Sequence, residues 1–392
     1  VRQTVPNSSA QRQSQFHRFF PHPTGKNGFE EYLQAADLLQ DQNASQYDTW
    51  FFNLRPAQGR MQVQTAPPEG VQLTDSYAEV ERKYRKRFQK VLALVKSGNA
   101  KPAQLPSKLD NGASEQASDF PVYARFRQVA RFTAHAGDAE FEDGKEASAT
   151  QILFDSLKFS SRVSTGSEIA LFAGYGCEFS AVHEFSSQVK RLSPSSAAKV
   201  VRYCANSLTE EPAEIAVVSR AFEVRKAKIH DIVSGLRSHP QDIAKLELMP
   251  HAVQRLKSLS GPQLEQLAKA IEEEDYKWYD LAIRAFKGSG KAWTEFTTVT
   301  IPASTEPLVA IMVSRLGSRD VLTNLMKSAI RRREGLRMLI LKVRVAQYLQ
   351  KQHRLPSKLA DCAKSEDLMD PFSGKPYRYL VRNGSFDVQT GG

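Results

Sequence analysis

"LRMLILKVRVAQYL", residues 336–349, decides the fold. A membrane span needs about 20 consecutive, mostly apolar residues. This run is interrupted by Arg337, Lys342 and Arg344, so it is not one. Read as a helix at about 100° per residue, it places Arg333, Arg337, Arg344 and Lys351 on one face. Leu336, Met338, Leu339, Ile340, Leu341, Val343, Val345, Tyr348 and Leu349 fill nearly all the rest. A helix this apolar must be covered by neighbours. The pattern predicts one long helix over 319–353, ended near His353 and closed off by Leu355-Pro356. Lys342 falls among Met338, Val345, Ala346 and Leu349. Either its stem is buried with the ammonium in water, or it pairs with a carboxylate. The first is expected, because lysine is rarely fully buried.

The C-terminal tail can supply the cover. Residues 369–388, "MDPFSGKPYRYLVRNGSFDV", read as a turn and then a β-hairpin around Asn383-Gly384. A lone hairpin is marginal in water. Tyr377, Tyr379, Phe386 and Val388 therefore need a surface, and the adjacent helix offers one. The hairpin is expected to fold back over 336–349 as a cap. Asp367, Asp370 and Asp387 could meet near the turn, but they supply three side chains where Ca2+ needs six to eight oxygens.

Upstream, nearly everything reads as helix. The fold class is mainly α: an array of antiparallel helical hairpins, α-solenoid-like, with a small C-terminal β-hairpin. The expected divisions are a linker (1–26), a helical region (27–98), a loop or linker (99–120), a helical-hairpin body (121–365) and the cap (366–392). Residues 75–98 read as a single amphipathic helix with a Ser76–Glu79 capping box, stopped by Gly98. The 121–163 unit reads as a helical pair bending at Gly137-Asp138, and Thr165 with Glu168 as a second capping box. Pro194, Pro212, Pro240, Pro250 and Pro262 mark helix starts.

Lys and Arg number 54 against 43 for Asp and Glu, a net charge of +11. That excess favours anionic partners: nucleic acid, acidic polysaccharide or an anionic membrane surface. The basic candidates are Arg82, Lys83, Lys86, Arg87 and Lys90 on one helix face, with Arg331 and Arg333 on the long helix. Nucleic-acid readers interleave aromatics with such residues. Here Tyr84 and Phe88 fall on the opposite, apolar face, which argues against nucleic acid and for an ordinary basic face.

The familiar catalytic patterns are each incomplete. "FKGSGKAW" (286–293) has Ala285 and Ala292 where a phosphate-binding loop needs Gly and Ser or Thr, so it reads as a plain loop. His183-Glu184 lacks the second His that a helical zinc site requires, and His135, His230, His239 and His251 are scattered. "EEED" (272–275) points around a helix axis and reads as a solvated face. Cys177, Cys204 and Cys362 form no CxxC pair and fit either redox compartment. No metal or cofactor is expected.

One resemblance stands out. A long helix, a proline-marked loop, then Asp370-Pro371, Gly374, Pro376 and Tyr379 leading into strands resembles the end of type II secretion major pseudopilins. More closely, the chain is similar to membrane-anchored helical proteins of environmental bacteria that share a start like "NGFEEYLQAADLL", helical hairpins and this tail. The likeness covers 27–50 and 121–390. It carries no activity with it. It implies an extracytoplasmic protein tethered through an N-terminal membrane helix, and the polar first residues after Val1 read as the linker from that anchor. The expectation is a non-enzymatic scaffold binding protein or an anionic envelope polymer, with the membrane engaged only through the anchor. The alternatives are an accessory subunit of a pilus or secretion-type assembly, and an envelope-polymer hydrolase whose site only the fold assembles.

Overall fold

The computed structural model describes residues 15–39, 47, 67–72, 75–106, 120–210, 213–238, 249–300, 304, 306–316 and 318–391. The chain is mainly helical and ends in a two-stranded antiparallel hairpin, as its sequence predicts. It divides into two compact units: Val1–Asp110 with Gln116–Val163 and Gly176–Glu184, and Asn111–Glu115 with Ser164–Tyr175 and Phe185–Gly392.

The first unit holds α1 (Gln15–Phe19), α2 (Gly28–Leu38), α3 (Tyr77–Arg87), α4 (Gln89–Ala100), α5 (Phe120–Glu142) and α6 (Glu146–Val163). The stretch predicted as linker thus contains a short helix, whose Phe19 is buried. The core is aromatic. Phe29, Tyr32, Phe126 and Phe159 meet edge to face, and Tyr47 stacks on Tyr84 beside Phe88 and Phe132. Helices α2 and α4 touch at two glycines. A Cβ on Gly98 would lie 2.5 Å from the Tyr32 ring and 2.8 Å from the Gly28 carbonyl oxygen. Close by, the Tyr32 hydroxyl donates to Asn99 Oδ1 (2.7 Å) and accepts from Arg162, which also donates to the Gly98 carbonyl.

Two local expectations are corrected. The single helix over 75–98 is two: Phe88, at φ −109° and ψ 20°, separates α3 from α4, and α4 runs through Gly98 to Ala100. The break seats the Phe88 ring among Tyr47, Tyr84 and Phe132. The Ser76–Glu79 capping box does form. The second correction concerns Gly137, which does not bend the chain. It lies inside α5, where a Cβ would come within 2.7 Å of Leu153 on α6, so the missing side chain permits close helix packing. The bend is at Gly144, with φ +75°, a value that favours glycine. Residues 107–119 of the expected loop lie outside the described residues.

The second unit holds α8 (Pro194–Thr209), α9 (Ala213–Ser238), α10 (Pro250–Ser258), α11 (Gly261–Lys287), α12 (Gly290–Thr298), α13 (Pro307–Leu316) and α14 (Ser318–Gln352), then β1 (Arg378–Arg382) and β2 (Ser385–Gln389). Pro194, Pro250 and Pro262 open α8, α10 and α11 as expected, while Pro212 and Pro240 lie outside the described residues. The remaining helix, α7 (Glu168–Ser187), is shared between the units, and Ser167 rather than Thr165 caps it: Ser167 Oγ accepts the Ala170 amide at 3.2 Å. Helix α11 is central, packing against α9, α12, α13 and α14. Trp278, Tyr279, Phe286, Trp293, Phe296, Leu325 and Met326 build the core around it.

The tail covers α14. Leu341 and Val345 form one buried cluster with Leu359, Tyr377 and Val388, and Met338, Tyr379 and Phe386 pack against it. The hairpin turns at Asn383 (φ 49°) and Gly384 (φ 72°), the positive values a tight two-residue hairpin requires. On either side of the apolar seam a cation of α14 reaches the tail: Lys342 Nζ to Asp387 Oδ1 at 2.8 Å, and Arg344 to Asp367. Lys342 therefore takes the carboxylate alternative.

A second attachment lies in the turn before the hairpin. Asp370 is buried and shapes its own loop, Oδ1 accepting the Phe372 amide and Oδ2 the Ser373 amide and hydroxyl. Phe372 enters the core 5.6 Å from the Trp293 ring, and Thr294 donates to its carbonyl. A Cβ on Gly290 would meet the Pro371 carbonyl oxygen at 2.6 Å. The "FKGSGKAW" stretch, expected as a plain loop, is thus the seat for the tail turn. Asp367, Asp370 and Asp387 go to three different partners rather than to one centre.

Candidate functional site

The basic face is built by α3 and the start of α4. Its cations separate into two sets. Lys83 pairs with Asp75 at 2.7 Å, Arg87 with Glu69 at 3.0 Å, and Arg85 with Glu140 and Asp143. Arg82, Lys86 and Lys90 are exposed, and no carboxylate among the described residues lies within ion-pair distance of them. Arg82 and Lys86 lie one turn apart on α3, and Lys90 follows in the first turn of α4. Ala93 and Lys96, also exposed, continue that stripe on α4.

At the end of the stripe a groove of about 260 Å3 opens between α4, α5 and α6. Leu92, Val95 and Ile152 give it an apolar floor, with Lys96, Ser148, Gln151 and Asp155 at its polar edges. Asn99 Nδ2 donates to the Asp155 backbone carbonyl at 2.8 Å and reaches its carboxylate at 3.3 Å, which fixes that wall.

The two candidates on α14 fare differently. Arg331 is exposed. Arg333 is 9% exposed and is corrected to a core residue: Nη1 donates to the Leu208 carbonyl at 3.0 Å, and its guanidinium lies 4.7 Å above the Trp293 ring. Burial pulls its pKa down, with Glu214 acting against that. Helical phase alone put Arg333 with the solvated cations. Trp293 of α12 and the end of α8 cover that face instead.

Several buried carboxylates escaped the sequence reading. In "EEED", Glu272 accepts from Lys226 (2.7 Å) and pairs with His230 (3.1 Å), while Asp275 is buried 3.4 Å from Arg225 Nε. His230 thus has the carboxylate partner that sequence adjacency hid. The signal for Asp275 was its phase, since it shares a face with Ile271, Trp278, Tyr279 and Ala282. Glu168 belongs to the same ionisable group. Burial raises its carboxyl to about 7, with Arg225 opposing and Asp275 reinforcing the rise. In the other unit burial raises Glu81 to about 8, helped by Asp138 and Glu184. Neither Glu81 nor Glu168 lines the groove.

All three cysteines are free thiols, and burial pushes the Cys177 thiol up, away from reactive thiolate. Among the described residues no cluster of His, Cys, Asp and Glu has the arrangement to hold a metal ion. No helix among them is long and apolar enough to cross a membrane. No protein-family model, curated protein or solved structure matches the chain.

Proposed function

We propose that this chain is a non-enzymatic interaction scaffold that presents the stripe Arg82, Lys86 and Lys90 to an anionic partner, a protein or an envelope polymer. One observation carries the reading. Where Lys83, Arg85 and Arg87 are neutralised by carboxylates, these three exposed cations have no carboxylate among the described residues within ion-pair distance. Exposed like charges spaced along one stripe repel one another, and an anionic partner relieves that repulsion. The extracytoplasmic, membrane-tethered setting remains part of the proposal. Its support is the order of the tail: helix, proline-marked loop, turn and hairpin.

The test is binding of polyglutamate and of a sulfated polysaccharide at rising salt. Wild type is expected to bind at low salt and release as salt screens the contacts. Arg82→Gln, Lys86→Gln and Lys90→Gln combined should weaken binding about tenfold or more and flatten the salt dependence. Equal binding by the triple variant contradicts the reading. For the setting, the tagged full-length gene product should fractionate with membranes; recovery in the cytoplasmic fraction contradicts it.

A second reading, an accessory subunit of a pilus or secretion-type assembly, is favoured by exposed apolar side chains on the tail, Met369 and Val381. It requires self-association that Val381→Ser weakens in sedimentation.

A further inference from the structure

We infer that the groove between α4, α5 and α6 is an anchor pocket for a short extended acidic peptide, whose carboxylates run along the Arg82–Lys86–Lys90 stripe. The inference rests on the proposed reading of that stripe and adds the chemical class of the partner. Three observations carry it. First, groove and stripe are continuous, because exposed Ala93 and Lys96 belong to both. Second, the groove holds about 260 Å3. Small-molecule sites usually offer about 300–1,000 Å3. This one suits a single aliphatic side chain better than a cofactor. Its apolar floor of Leu92, Val95 and Ile152 matches such an anchor, and the Asp155 carboxylate on the wall offers an acceptor to a peptide N–H.

Third, the spacing fits an extended chain. Cations four residues apart on a helix are about 6 Å apart along its axis. Alternate residues of an extended strand are separated by about 6.6–6.8 Å. Acidic residues at every second position of a strand therefore keep pace with Arg82 and Lys86 on α3, and Lys90 opens α4 just past the break at Phe88. Summed over the two helices, the stripe from Arg82 to Lys96 covers at most about 21 Å, within the span of about seven extended residues. A flexible polysaccharide would meet the cations equally well but has no apolar side chain for the groove.

The experiment uses two labelled heptapeptides, with aspartate at positions one, three and five and either leucine or serine at position seven. Anisotropy at low salt measures binding to the wild-type chain. The leucine peptide is expected to bind about tenfold tighter than its serine sibling, the gain from burying one aliphatic side chain. Ala93→Gln narrows the groove from an exposed, helix-compatible position. It should abolish that advantage, and an unchanged thermal midpoint reports that the variant is folded. Ile152→Gln should act in the same way. Equal affinity for the two peptides overturns the anchor pocket and leaves the basic stripe standing. So does a sulfated polysaccharide fragment that binds as tightly as the leucine peptide and ignores Ala93→Gln. If neither peptide nor polysaccharide binds at low salt, both the pocket and the stripe are wrong.

Discussion

Lys342 on α14 meets Asp387 on β2 at 2.8 Å, joining the long helix to the hairpin that covers it. Burial alone would raise the Asp387 carboxyl, but hydrogen bonds from Lys342 and Gln389 outweigh it and hold the pKa below its ordinary value of 3.8. A depressed carboxyl stabilises the fold above its unfolded pKa, and that contribution is lost as pH falls through the folded value. The pair is partly exposed, so a double-mutant cycle with Lys342→Met and Asp387→Asn should give a coupling of about 0.5–1 kcal/mol at about pH 7. The coupling should shrink as pH falls toward about 2 and the Asp387 carboxyl takes up its proton. Urea midpoints at the two pH values measure it.

Beneath that ion pair the seam is apolar. Leu341 is 1% exposed, whereas Val381, opposite Phe386 at the turn end of the hairpin, is 49% exposed. Leu341→Ala is expected to cost about 2–5 kcal/mol. Val381→Ala should stay within about 0.5 kcal/mol of wild type. Chemical denaturation compares them. Similar small losses at both positions would mean that the hairpin does not seal α14.

Gly98 offers a test in which two effects have opposite signs. Helix propensity favours Gly→Ala inside α4 by about 0.8–1 kcal/mol. The new Cβ, however, would lie 2.5 Å from the Tyr32 ring and 2.8 Å from the Gly28 carbonyl oxygen. Overpacking of this kind costs about 1–3 kcal/mol. Gly98→Ala should therefore lower the thermal midpoint, and a rise would show that α2 and α4 are not in close contact there.

Glu81 makes stability depend on pH. It is buried, one carboxylate oxygen has no hydrogen-bond partner among the described residues, and its pKa rises from 4.5 to about 8. Between those values the folded chain holds a proton that the unfolded chain has released. Stability from this group therefore falls as pH rises from about 4.5 to 8, by on the order of a few kcal/mol. Asp138, Glu184 and Glu142 reinforce the rise in pKa and Arg85 opposes it. Glu81→Gln should be more stable than wild type at about pH 8 and show a smaller difference at about pH 5, as read by urea midpoints.

The legible parts of the fold were those written in local chemistry. Pro194, Pro250 and Pro262 announce helix starts because proline suits a first turn, and Asn383-Gly384 announces its hairpin because the turn needs positive φ. The apolar run at 336–349 announced its cover. The illegible parts depend on partners distant in sequence. Gly137 looked like a bend and instead admits Leu153; the fate of Arg333 was set by Trp293 and Leu208; His230 found Glu272 on another helix. The basic stripe was visible as a row of charges. Which of them are paired was settled by Glu69, Asp75, Glu140 and Asp143, carboxylates that the face itself does not contain.

The most direct test is a hydrogen-exchange footprint of the chain with and without saturating polyglutamate at low salt. Slowed exchange is expected over residues 77–100, with residues 318–352 unchanged although Arg331 is exposed there. Protection confined to 318–352, or no protection at all, would contradict the assignment of the partner surface to Arg82, Lys86 and Lys90.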